Sequence, residues 1–126
     1  MESWSILAEL TSEDIFRLHP KIRWTAFTSD SGEVVFSNMR PGVKSYTSDE
    51  VDRTFMEFGP LIMSGVSERL TPAGSAGRVR NIIVNLEKDS VLLAKLKSGY
   101  LAISVDRADA ITALQDIAES IETFTV

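Results

Sequence analysis

Apolar and polar residues alternate along this chain in two rhythms, and the switches between them mark the elements. At the start, Trp4, Leu7, Ala8, Thr11, Ile15 and Leu18 recur at helical spacing. The run Thr11-Ser12-Glu13-Asp14 can also cap a fresh short helix, so the segment is either one helix or two broken near Thr11. His19-Pro20 ends it, because the residue before a proline is pushed out of the α region. Residues 22–29 then carry Trp24, Thr25, Phe27 and Thr28, the β-branched and aromatic side chains that suit a pleated surface. Asp30-Ser31-Gly32 is a compact turn in which Gly32 supplies a positive φ. Residues 33–37, with Val34, Val35 and Phe36, return as the partner strand.

A loop opened by Pro41-Gly42 leads to Ser48, an N-cap residue followed by Asp49, Glu50 and Asp52. Carboxylates in a first turn complement the positive end of the helix dipole. The helix runs toward Arg69, with Val51, Phe55, Phe58, Ile62 and Val66 on its main apolar stripe. Gly59-Pro60 interrupts it, but the stripe continues in phase, so one bent helix is expected rather than two. Residues 71–77 form a small, breaker-rich connector. Extended segments at 79–86, 90–96 and 100–105 follow, joined by Glu87-Lys88-Asp89 and Lys97-Ser98-Gly99. Connections that short join only antiparallel neighbours. The last segment, 108–124, puts Ala110, Ile111, Leu114, Ile117, Ile121 and Phe124 on one helical face. The order α-β-β-α-β-β-β-α predicts an α+β fold: one domain, with a five-stranded antiparallel sheet flanked by helices.

Composition narrows what such a domain does. A length of 126 residues suits a single core, and a hydrophobic share of 44% with 25% charged residues is ordinary for a globular chain. The absence of cysteine removes disulfides, thiolate metal sites and cysteine nucleophiles together, and fits a cytoplasmic location. A net charge of −5 weighs against nucleic acid, whose binding rests on neutralising phosphates. No segment approaches the roughly 20 apolar residues of a membrane span. The N-terminus does not read as a signal peptide.

The order of elements resembles the roadblock/LC7 fold, within the wider profilin-like and longin-like group, and the Asp30-Ser31-Gly32 turn is similar to the turn between the first two roadblock strands. Three stretches are also similar to a family of short archaeal proteins of unassigned activity: His19-Pro20-Lys21-Ile22-Arg23-Trp24, Phe55-Met56-Glu57-Phe58, and Arg78-Val79-Arg80-Asn81-Ile82-Ile83-Val84. The strand Leu101-Ala102-Ile103-Ser104-Val105 fits them as well. The roadblock resemblance implies a homodimer without enzymatic activity, acting on small GTPases or as a scaffold. It also implies a shared surface made from the middle strand, here 79–86, and the central helix, here 49–69.

The candidate surfaces each carry a plainer alternative. Met56, Gly59, Met63 and Ser67 make a second stripe on the central helix, which is either a partner face or part of a helix buried on both sides, by the sheet and by the N-terminal helix. Asn81, Ile83 and Asn85 alternate along one side of the third strand: an interface core with a polar rim, or a central strand with one wet face. Gly74-Ser75-Ala76-Gly77-Arg78 with Arg80 lacks the pattern of a phosphate loop and leads into a strand, so it reads as a connector. His19 is the only histidine and reads as a helix-end residue. Lys21 and Arg23 read as a solvated edge, and the clusters Glu13-Asp14 and Asp49-Glu50-Asp52 as helix starts. No catalytic residue, metal or cofactor is expected. The rival to an interaction module is a sensory domain holding a small molecule between sheet and helices, which requires an enclosed pocket of roughly 300 Å³ or more.

Overall fold

The structure, a computed structural model, describes residues 10–45, 49–70 and 77–124, with the side chain of Asp49 outside that set. The expected cap at Ser48, the helical positions 4–9 and the connector 71–76 lie outside the described residues. The elements are α1 (Ser12–Phe16), β1 (Ile22–Ser29), β2 (Val34–Met39), α2 (Asp49–Leu70), β3 (Asn81–Asn85), β4 (Asp89–Leu96), β5 (Gly99–Asp106), a 3-10 turn (Arg107–Asp109) and α3 (Ala110–Ile121). The fold is α+β with the expected order of elements.

Thr11 caps α1 by the route its sequence offers. Its hydroxyl accepts from the Asp14 amide at 3.3 Å, while Asp14 Oδ2 accepts from the Thr11 amide at 3.0 Å. A fresh helix therefore begins at Ser12. Pro60 sits inside α2, which is assigned as helix without a break from Asp49 to Leu70. Gly32, at φ 93°, closes the first hairpin.

One sheet holds all five strands in the order β2-β1-β5-β4-β3, every neighbour antiparallel. The early hairpin joins the late meander through β1 and β5, where Thr25 stands opposite Ile103 and Phe27 opposite Leu101. Side chains of a strand alternate between faces, so two cores form. On one face, Phe27, Leu92, Leu101 and Ile103 pack with Ile15 of α1 and Leu114, Ile117 and Ile121 of α3. On the other, Trp24, Ala26, Val91, Leu93 and Ala102 pack under α2 through Met63. Each large apolar side chain fully buried in these layers stabilises the fold by about 1.5–3 kcal/mol.

Three expectations change. Ile111 is not on the buried face of α3, being 84% exposed, whereas Ala113 is buried. At 100° per residue, Ala110, Ala113, Leu114, Ile117 and Ile121 share a narrow arc that Ile111 overshoots. The strand that holds Arg23 and that Lys21 leads into is not an edge: β1 lies between β2 and β5. The true edges are β2 and β3, so the strand at 79–86 is not central.

Arg40 fastens the α1–β1 connection. Its Nε donates to the Ile22 carbonyl at 2.6 Å, its Nη2 donates to the carbonyls of Phe16 at 2.8 Å and His19 at 2.7 Å, and the guanidinium lies 5.0 Å from the centre of the Phe16 ring. Arg40→Ala leaves those carbonyls without their charged donor, and we expect a loss of about 2 kcal/mol. The check is the urea midpoint, with the slope unchanged. A midpoint equal to that of the unaltered chain contradicts this role.

Candidate functional site

The long helix decides which surfaces are open. Met63 is 1% exposed and Gly59 is buried, and a Cβ added at Gly59 would meet Leu93 Cδ2 at 3.3 Å. Met56 also packs against that core, and Ser67 is half-buried at the far end. The second stripe is thus the side on which α2 sits on its own sheet. A glycine there lets the helix come close. On one flank Arg53, Glu57, Pro60, Leu61 and Ser64 face the β1–β2 hairpin. By the helical repeat, Phe58, Ile62 and Val66 occupy the opposite flank, toward β3.

That flank is apolar and partly open: Phe58 is 52% exposed and Ile62 40%. Beside it lies β3, which among the described residues pairs with β4 on one side only. Ile82 and Val84 of β3 are half-buried on the α2 face, and Leu86 just beyond is 37% exposed. The result is an apolar ledge along an open sheet edge. Asn81, Ile83 and Asn85 point to the other face, beside α3, where Ile83 is 44% exposed. The structure therefore does not bring Met56, Gly59 and Met63 together with Asn81, Ile83 and Asn85; the sheet separates them.

Spaces between the layers are small. Two voids beneath α2 hold about 10 Å³ each. The larger volumes, such as the roughly 700 Å³ between the hairpin and α2, are open grooves. Among the described residues there is no enclosed chamber between sheet and helices of the size a sensory ligand requires.

One of the two voids contains a carboxyl in an unfavourable place. Asp89 Oδ1 is shielded from solvent and has no hydrogen-bond partner. Burial pushes the Asp89 pKa up from 3.8 to about 6; Arg23 opposes this, as does the hydrogen bond from the Ser90 amide, while Asp106 and Asp52 add to it. The folded state holds this proton more tightly than the unfolded chain. The neutral form therefore favours folding fully below pH 3.8, and that contribution is lost as the pH rises through about 6. Asp89→Asn mimics the protonated form. After discounting for partial exposure, it should stabilise the protein by about 1–2 kcal/mol at pH 7.5 and by much less near pH 4. Urea midpoints at the two pH values check this, and an equal effect at both contradicts it.

His19 and Lys21 have structural settings. His19 Nδ1 accepts from the Lys21 amide at 3.1 Å, and Lys21 Nζ lies 3.8 Å from Asp109 Oδ1. Among the described residues no three histidine, aspartate or glutamate side chains gather as metal ligands, and no helix is long and apolar enough to cross a membrane.

No protein-family model matches the chain, and no curated protein matches it. Solved structures do. The roadblock/LC7 domain from Streptomyces avermitilis superposes with a TM-score of 0.60 at 16% identity, covering 87% of this chain and 90% of that one. The gliding protein MglB from Thermus thermophilus gives 0.63 at 11%, covering 90% and 81%. MglB from Myxococcus xanthus gives 0.58 at 13%, covering 86% and 83%. The chain has the roadblock/LC7 fold. At these identities the likeness is one of architecture.

Proposed function

We propose that this domain is a non-catalytic, cytoplasmic interaction module that pairs with a second copy of itself and, so assembled, binds another protein. The observation that carries the reading is the apolar flank of α2 lying beside the unpaired edge of β3. An open edge presents unpaired backbone donors and acceptors, and natural sheets blunt or cover such edges. A second β3, running antiparallel about a two-fold axis, supplies the missing ladder. With Ile83 opposite itself, Asn81 stands opposite Asn85 on one face and Ile82 opposite Val84 on the other. The same axis brings the Phe58 and Ile62 flanks of two α2 helices toward each other. Met56, Gly59 and Met63 then act indirectly, by setting the height of α2 above the sheet. A further MglB structure, 13% identical with a TM-score of 0.57, has a tetrameric arrangement, which supports self-association on this architecture.

Because the chain has no cysteine, Ile83→Cys gives a clean test. Oxidation should convert most of the variant into a covalent dimer, since directly opposed residues of antiparallel strands approach within disulfide reach. Crosslinking no faster than for Ile111→Cys, on the exposed face of α3, would count against the β3 pairing.

For the bound protein, the roadblock architecture favours a small GTPase. Calorimetric titration with a small GTPase of the same organism, loaded with GDP or with a non-hydrolysable GTP analogue, should show binding that differs between the two states. No binding in either state removes that assignment and leaves self-pairing to be judged on its own.

A further inference from the structure

The chain carries a net charge of −5, yet four of its thirteen basic residues, Arg78, Arg80, Lys95 and Lys97, line one groove of about 410 Å³. It lies at the end of the sheet where β4 outruns its neighbour. The β3–β4 ladder stops at Asn81 opposite Ala94, so Lys95 and Leu96 pair only with β5. The floor is apolar, made by Val79, Leu96, Ile121 and Phe124. Two of the cations are already engaged: Arg80 pairs with Glu122, and Lys95 lies 3.0 Å from Asp30. Arg78 and Lys97 form no ion pair among the described residues, and both are exposed.

We propose that this groove is a docking site for an acidic, apolar-anchored segment of a partner protein. Charge complementarity selects the occupant. Two cations without ion pairs among the described residues, over an apolar floor, suit a short stretch in which carboxylates alternate with large apolar side chains, and the end of β4 beyond its ladder with β3 offers it backbone hydrogen bonds. Nucleic acid and anionic membranes need broader basic surfaces to overcome the repulsion of an acidic protein. The groove adjoins the start of β3 but is lined by a single chain, so it forms without self-pairing.

The probe is a fluorescein-labelled peptide in which glutamate alternates with leucine and phenylalanine, titrated by anisotropy at low ionic strength. Arg78→Glu with Lys97→Glu should weaken binding by about tenfold or more, and raised salt should weaken it likewise. Lys44→Glu with Arg53→Glu makes the same change in net charge away from the groove and from β3, and should change binding by less than about twofold. Equal losses from both pairs, or no binding by the unaltered chain, overturn the proposal. So does the reverse preference, in which phosphatidylserine vesicles or polyuridylate bind through Arg78 and Lys97 and the peptide does not. If the first pair does not fold, amide shifts of the unaltered chain decide. Peptide-induced shifts centred on Leu96, Lys97 and Ile121 support the site, and shifts elsewhere overturn it.

Discussion

Gly99→Ala is expected to destabilise the fold by about 3 kcal/mol. Gly99 opens β5 and stands opposite both Ser29 and Leu96. A Cβ there would lie 2.3 Å from the Thr28 carbonyl oxygen, 2.8 Å from Phe27 Cζ and 3.0 Å from Ser29 Cα. Two of those atoms are backbone, so no side-chain rotation relieves the clash. Strand β1 or β5 must move, and their pairing is what joins the early hairpin to the late meander. The control is Gly65→Ala in α2, where nothing lies within 4 Å of the added carbon. That change should stabilise by about 0.5–1 kcal/mol, because alanine loses less backbone freedom in a helix than glycine does. Denaturation of the two variants side by side gives the answer; a Gly99→Ala protein as stable as the unaltered chain contradicts the close packing.

The second large effect is on assembly. Phe58→Asp with Ile62→Asp places two charges on the open flank of α2. Both side chains are substantially exposed, so the monomer should keep its fold and lose little stability. In a pair of molecules the same carboxylates would be desolvated against apolar partners. We expect the dimer dissociation constant to rise by about a hundredfold or more, leaving monomer at micromolar concentration. Leu61→Asp is the informative comparison: at 63% exposure it is more open than either, but it lies on the flank toward the hairpin. It should leave the dimer intact. A monomer from Leu61→Asp and a dimer from the double variant would reverse the assignment of flanks.

The fold was legible because local signals agreed with one another. Turn residues such as Gly32, the β-branched runs, and connections too short for anything but antiparallel neighbours all point to the same sheet. The Thr11 cap could be read as an alternative, and the hydrogen bonds of Asp14 settle it. What could not be read was the order of strands. Sequence order places 79–86 third of five, but β1 pairs with β5, which pushes β3 to the rim; that long-range choice has no local mark. The faces of α2 were harder still. A 22-residue helix with two apolar stripes gives no periodic clue to which one meets the sheet. The glycine stripe is the one in close contact with Leu93, because a small residue permits the nearest approach. Gly59 was the available signal. Asp89 read as a turn residue; the charges that act on it there, Arg23, Asp52 and Asp106, are distant in sequence.

Sedimentation equilibrium of the unaltered chain from about 1 to 100 μM bears most directly on self-pairing. A species of twice the 13.9 kDa chain mass, persisting toward the lower end of that range, is the predicted result. A single 13.9 kDa species at every concentration would contradict it.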